Sequence, residues 1–341
     1  MIKAFFRTKK WSLWAYGGAL LILILLYSQV QIAVLVNSWY KGFYDLLHNS
    51  KDYYDNPEEG IAKLYYYLIS LQYITSGFKG DASFAVIVLP YIPIIAFTNW
   101  FTKIYALKWR EAMTFYYLPK WRKVENDIEG SSQRIQEDCF LWAKLVESLG
   151  LQFVRAIMML IGFLPVLWNL SESISIPILG QKEGSLVFCS LFISLGGIFI
   201  SFFVGWKLPG LHYNNQKVEA AFRKDLVLAE DDKKNYAQPE TILNLFLGIK
   251  TNYKKLYLHY SYFDLWSSFY NQIMIIFPYV IVAPNLFTGI IQMGILIQIS
   301  NAFARVHDSF SVILDNWTSI TELKSIWKRL NEFETSLNSI S

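Results

Sequence analysis

The stretch VGWKLPGLHYNNQKVEAAFRKDLVLAEDD (Val204–Asp232) runs an apolar segment straight into a charged helical pattern, so a membrane ends where the charges begin. On an α-helix, residues eleven apart differ by three turns plus about 20°, which places Glu219 and Glu230 on one face roughly 16 Å apart. A column of acid just inside a membrane is one reading. A solvated helix face is the other, with Glu219 pairing to Arg223 at i+4 for about 0.2 to 0.5 kcal/mol. What surrounds the two carboxylates decides between them.

The surroundings are those of a membrane protein. Of 341 residues, 54% are hydrophobic and only 17% charged, with a mean hydropathy of +0.28, which is outside the range of ordinary soluble domains. The run GGALLILILLYSQVQIAVLV (Gly17–Val36) is uncharged and long enough to cross a hydrocarbon core about 30 Å thick. Its length, with no small-residue cleavage site after it, marks a retained span rather than a signal peptide. Six spans are expected, at about 13–36, 83–105, 151–171, 184–206, 265–287 and 289–312. They must be helices, because no open sheet edge is tolerated in lipid. Pro90 and Pro93 should kink the second, and a tight turn near Pro284–Gly289 separates the last two.

Basic residues set the orientation. Lys3, Arg7, Lys9 and Lys10 precede the first span, and Lys and Arg crowd the second-to-third and fourth-to-fifth connections. Lys182 is alone between the third and fourth, and the fifth-to-sixth has none. The positive-inside rule then places both termini and both long connections in the cytoplasm. LYYYLISLQYITSGF (Leu64–Phe78) is uncharged but short and rich in tyrosine; it is expected as an interfacial or outward-projecting helix. The connections 106–150 and 207–264 carry apolar residues at helical spacing, the second broken near Gln238 and Pro239. They are expected as cytoplasmic helical extensions, followed by a C-terminal helix at 313–335. In the first, Glu129 and Glu147 align on a continuous helix, with Glu137 about 80° to one side. Arg155, Asp264, Asn301, Arg305, His307 and Asp308 interrupt or flank apolar runs; such groups either snorkel to the interface or face a cavity.

The sequence has no GxxxxGK[ST] loop, HExxH, GxSxG or metal-spaced Cys/His cluster. No catalytic role, metal or cofactor is expected. Cys139 and Cys189 are not expected to pair, and His48, His212, His259 and His307 are scattered. The net charge of +4 reflects membrane topology rather than nucleic-acid binding. About thirty residues follow the last span, too few for an ATPase domain, so ATP-driven function would need a separate subunit.

VNSWYKGFYDLL (Val36–Leu47), KWREAMTFYYLPKW (Lys108–Trp121), IEGSSQRIQED (Ile128–Asp138), KLPGLHYNNQKVEAAFRKDLVLAEDD (Lys207–Asp232) and NWTSITELKSIWKRLNEFE (Asn316–Glu334) resemble the SbmA/BacA peptide-antibiotic transporters of bacterial inner membranes. The likeness runs in register from about residue 30 to the end. It implies an all-α, ABC-exporter-like homodimer without the ATPase, formed from a single transporter domain. It also implies a proton-driven importer of peptides or peptide-like antibiotics, with Glu137, Glu147, Glu219, Glu230 and Glu322 lining the cavity. Relative to longer members, the chain is expected to lack an N-terminal membrane segment and to carry an insertion at about 72–84. A carboxylate in a partly dry, acid-lined cavity is easier to protonate, so a column of them lets protons bias an outward-open against an inward-open state. The rival reading is the membrane subunit of an ATP-driven transporter of lipid or cobalamin; a non-transporting scaffold would leave the acids without a purpose.

Overall fold

The computed structural model describes residues 1–71, 82–124, 131–176 and 180–339, which are almost entirely helical and include no strand element. After a short α1 (Ile2–Phe6) and a π-turn (Leu13–Gly17) come α2 (Gly18–His48), α3 (Pro57–Ile69), α4 (Phe84–Val88) and α5 (Tyr91–Trp121). A second π-turn (Arg134–Asp138) leads into α6 (Cys139–Ser171), followed by α7 (Ser185–Gly205) and α8 (Leu208–Asp231). Then come α9 (Pro239–Phe287), α10 (Met293–Asp315) and α11 (Trp317–Ser339).

Five helical stretches are long and apolar enough to cross a membrane: Leu13–His48, Phe84–Trp121, Ser131–Ser171, Ser185–Glu230 and Pro239–Phe287. The sixth expected span coincides with α10, whose 23 residues include Arg305, His307, Asp308 and Asp315; those charges keep it below the apolar threshold. In the second span, Pro90 does more than kink the helix. Residues 89–90 interrupt it between α4 and α5, because proline donates no N–H and its ring clashes with the preceding turn. Pro93 falls in the first turn of α5, where a missing N–H costs nothing. The expected break near Gln238 is present, with an earlier one at Asp232. Residues 72–81, which hold nearly half of Leu64–Phe78 and most of the expected insertion, lie outside the described residues, as does Glu129. The described part of the former is α3, whose 13 residues rise only about 20 Å.

The chain divides into two units, Met1–Leu191 with Phe277–Ser341, and Phe192–Ile276, with the boundaries inside α7 and α9. The first unit has two hydrophobic cores. In one, Phe5 stacks on Trp109 at 5.3 Å, and Met113, Tyr117, Cys139, Trp142, Ile326, Leu330 and Phe333 close around them. Glu334 of α11 accepts from the Tyr117 hydroxyl at 2.6 Å and pairs with the Met1 amine. Cys139 is fully buried among them. The second core gathers Phe163, Leu167, Ile174, Leu186, Val282, Leu296, Ile299 and Phe303. Trp142 and Phe163 are both on α6, so the two cores sit about 30 Å apart along it, one hydrocarbon thickness.

Between the cores the helices are joined by polar side chains. Arg155 of α6 donates to Gln29 of α2 at 3.1 Å, and Gln29 donates to Thr98 of α5 at 2.8 Å. At the far end Asp45 of α2 accepts from the Gly294 backbone N–H at 2.7 Å, satisfying one of the orphan donors at the start of α10. Buried Asn285 on α9 clamps Ser175, accepting from its N–H at 3.1 Å and donating to its carbonyl at 2.8 Å. Gly289, at φ +72°, closes the turn into α10 in a conformation that favours glycine.

In the second unit, α7 and α9 are riveted by aromatic side chains. Trp266 and Tyr270 stack at 5.9 Å; Trp266 donates to Ser201 Oγ at 2.8 Å and Tyr270 to the Ile193 carbonyl at 3.1 Å. The fit depends on Gly197, where a Cβ would lie 2.0 Å from the Tyr270 ring.

Candidate functional site

Glu219 and Glu230 both belong to α8, which is unbroken from Leu208 to Asp231. They therefore share one stripe of a single helix, about 16 Å apart. Glu219 is half-buried and Glu230 exposed. The ion pair between Glu219 and Arg223 that a solvated-face reading would supply does not form among the described residues. Apolar side chains accompany the acids: Leu226 and Val227 on α8, and Leu243, Phe246 and Leu247 on α9, are all exposed.

The other three candidates belong to the first unit. Glu137 lies on the π-turn Arg134–Asp138, is exposed and accepts from Gln133 Nε2 at 3.0 Å. Single π-turns re-aim side chains and recur at functional sites. Glu147 is half-buried on α6, and Glu322 is exposed on α11. None of the five carboxylates is in an ion pair among the described residues. No group of three or more His, Cys, Asp or Glu among the described residues is arranged to hold a metal.

The acid that the π-turn does bury is the next one, Asp138, only 1% exposed. Arg134 Nη1 reaches it at 2.9 Å, and Arg329 of α11 grips it in a fork, Nε at 3.1 Å and Nη2 at 2.7 Å. The carboxylate raises the Arg329 pKa, mainly through that hydrogen bond. The motif IQED therefore holds two acids in opposite settings, Asp138 buried between two arginines and Glu137 exposed. Arg329→Met strands a buried charge with a single partner and is expected to cost about 3 kcal/mol of stability. Asp138→Asn should cost less, because both arginines reach water (24% and 35% exposed). Thermal unfolding of the two variants in detergent measures the order.

The ionisable residues within apolar runs fare differently from one another. Arg155 is tied through one guanidinium nitrogen to Gln29. His307 is buried on α10, whereas Arg305, Asp308 and Asp264 are exposed.

The model of the SbmA/BacA-like family matches residues 8–338. The chain belongs to the SbmA/BacA-like family. It is also 25% identical over 335 residues to the inner membrane ABC transporter ATP-binding protein YddA of Escherichia coli, covering 92% of this chain and 56% of that protein. It is 25% identical over 322 residues to the chloroplastic ABC transporter D family member 2 of Arabidopsis thaliana, covering 90% and 41%. An ABC transporter ATP-binding protein of Synechocystis matches at 22% over 348 residues, covering 97% and 47%. The chain thus spans about half the length of the curated relatives it matches. Membership in the SbmA/BacA-like family, with five apolar helices of spanning length, makes this a multi-pass membrane protein of a transporter family.

Proposed function

We propose that the chain is a proton-driven secondary transporter that imports peptides or peptide-like antibiotics across a bacterial inner membrane by alternating access. The observation that carries this reading is the pair Glu219 and Glu230, on one stripe of an unbroken helix and in no ion pair among the described residues. An acidic stripe beside apolar surface suits a proton-coupled carrier, and its negative charge draws in cationic peptides. α10 is the sixth span, and its packing against α2 and α6 supports that place. Both termini lie in the cytoplasm, as the basic connections require.

A second copy of the chain is the partner. The exposed apolar side chains of α8 and α9 are the kind of surface a homodimer covers, and Glu137, Glu147 and Glu322 are further candidates for proton coupling. The curated relatives are named as ATP-binding proteins, which favours one alternative, an ATP-driven transporter. One experiment separates them: uptake of a labelled peptide into proteoliposomes, with a proton gradient and no ATP. Accumulation that ends when the gradient is collapsed is the expected result. Accumulation that persists without a gradient but requires ATP selects the alternative.

A further inference from the structure

Lys3, Arg7, Lys9 and Lys10 stand in the first twelve residues, where no acidic side chain occurs. Topology alone would accept those charges on a loose tail. The structure holds them in place. Ala4, Phe5 and Trp11 are buried, Phe5 is stacked on Trp109, and Phe6 meets Trp109 edge-on at 5.4 Å. With the apolar side of the segment clamped, all four basic side chains are exposed, and none is in an ion pair among the described residues. Lys10 lies 5.1 Å from the Trp11 ring, and one further ammonium group, Lys108, lies 5.8 Å from it, though Lys108 is neutralised by Glu111 at 2.9 Å.

An apolar stripe begins immediately below. Leu13, Tyr16, Leu20, Ile24 and Tyr27 are all more than half exposed and recur every three or four residues, so they share one face of the π-turn and α2. Phe6 packs edge-on against Tyr16 at 5.5 Å, which makes the clamped segment and the stripe one continuous surface. The stripe is about 20 Å long, somewhat more than one leaflet's share of a hydrocarbon core about 30 Å thick. Its upper end is aromatic and its cap is cationic, the order of groups met on passing from acyl chain to headgroup.

We propose that this surface is a binding site for an anionic phospholipid. The phosphodiester sits among Lys3, Arg7, Lys9 and Lys10, and an acyl chain lies along the stripe from Leu13 to Tyr27. Lys and Arg at a membrane surface favour anionic over zwitterionic lipid, and a segment clamped by its aromatic side loses little freedom when the lipid binds. The inference rests on the membrane reading of α2 and is independent of what the protein transports.

The test uses the full chain in detergent and follows its thermal unfolding midpoint against added phosphatidylglycerol, phosphatidylcholine or inorganic phosphate. Phosphatidylglycerol is expected to raise the midpoint at concentrations where phosphatidylcholine does not, and less so in high salt. Inorganic phosphate, which lacks the acyl chain, should have no comparable effect. K9Q/K10Q should need roughly tenfold more phosphatidylglycerol for half the shift, while its midpoint without added lipid stays at the wild-type value. K3Q/R7Q provides the same comparison from the other side of the site, and native mass spectrometry counts the lipid each protein retains. Equal shifts with both lipids, a full effect of inorganic phosphate, or wild-type phosphatidylglycerol retention in both variants would overturn the proposal. So would a second copy of the chain covering the stripe, seen as a dimer with no lipid response.

Discussion

Glu219→Gln and Glu230→Gln are each expected to abolish gradient-driven peptide uptake while leaving the protein folded. Glutamine keeps the size of the side chain and its ability to hydrogen-bond but removes the site that binds a proton. Losing 1.4 kcal/mol of coupling between protonation and conformation already changes the balance of states about tenfold, and a carrier that must both gain and lose a proton in each cycle cannot replace that site with an amide. Stability should be unaffected, since neither residue is in an ion pair among the described residues and Glu230 is exposed. Uptake in proteoliposomes, read beside the unfolding midpoint, provides the comparison. Wild-type rates in both variants would return Glu219 and Glu230 to a solvated helix face and remove the basis of proton coupling.

Gly294→Ala should damage the fold itself. A Cβ at that position lies 2.0 Å from the Lys41 backbone carbonyl and 2.7 Å from the Asp45 carboxylate. A flexible side chain could turn away, but the backbone of α2 cannot. The start of α10 must therefore move off α2 and give up the hydrogen bond to Asp45. Overpacking of this kind costs about 1 to 3 kcal/mol, and the unsatisfied carboxylate adds to it. The control is Gly150→Ala on α6, where a Cβ meets nothing within 4 Å; there the change should be neutral or raise stability by up to about 1 kcal/mol. The unfolding midpoint is expected to fall for Gly294→Ala and to hold or rise for Gly150→Ala.

The all-α class and the extent of the apolar helices could be read from uncharged runs such as Gly17–Val36, because lipid permits few other structures. α10 was harder, since its charges and its core-facing Ile299, Phe303 and Val306 alternate within the same turns. The aromatic core around Phe5 and Trp109 could not be read at all. It brings the first residues against α5 and α11, and no local periodicity encodes a contact of that range. Asp45 and Gly294 are likewise joined across most of the chain. Among the acids, sequence alone separates Glu137 from Asp138 poorly, because a π-turn breaks the spacing from which faces are counted. The Arg134–Asp138 spacing of four was the available hint, and Arg329 the partner it did not reveal.

Arg155 shows the same lesson from the other direction. Its place in an apolar run names no partner, and the structure supplies one in Gln29, whose own setting in an uncharged run gives no sign of the contact. A hydrogen bond between transmembrane helices is worth only about 0.6 kcal/mol on average, so the chain from Arg155 through Gln29 to Thr98 aligns three helices more than it stabilises them.

Because α6 is held at Trp142, at Phe163 and, between them, by buried Leu149 and Ala156 and the bond from Arg155 to Gln29, it behaves as a strut braced along its whole length. A torque applied beside Trp142 would reach Phe163 as rotation, with little lost to bending on the way. Amide hydrogens on α6 should then be slow to exchange from Trp142 to Phe163, with no faster zone around Arg155.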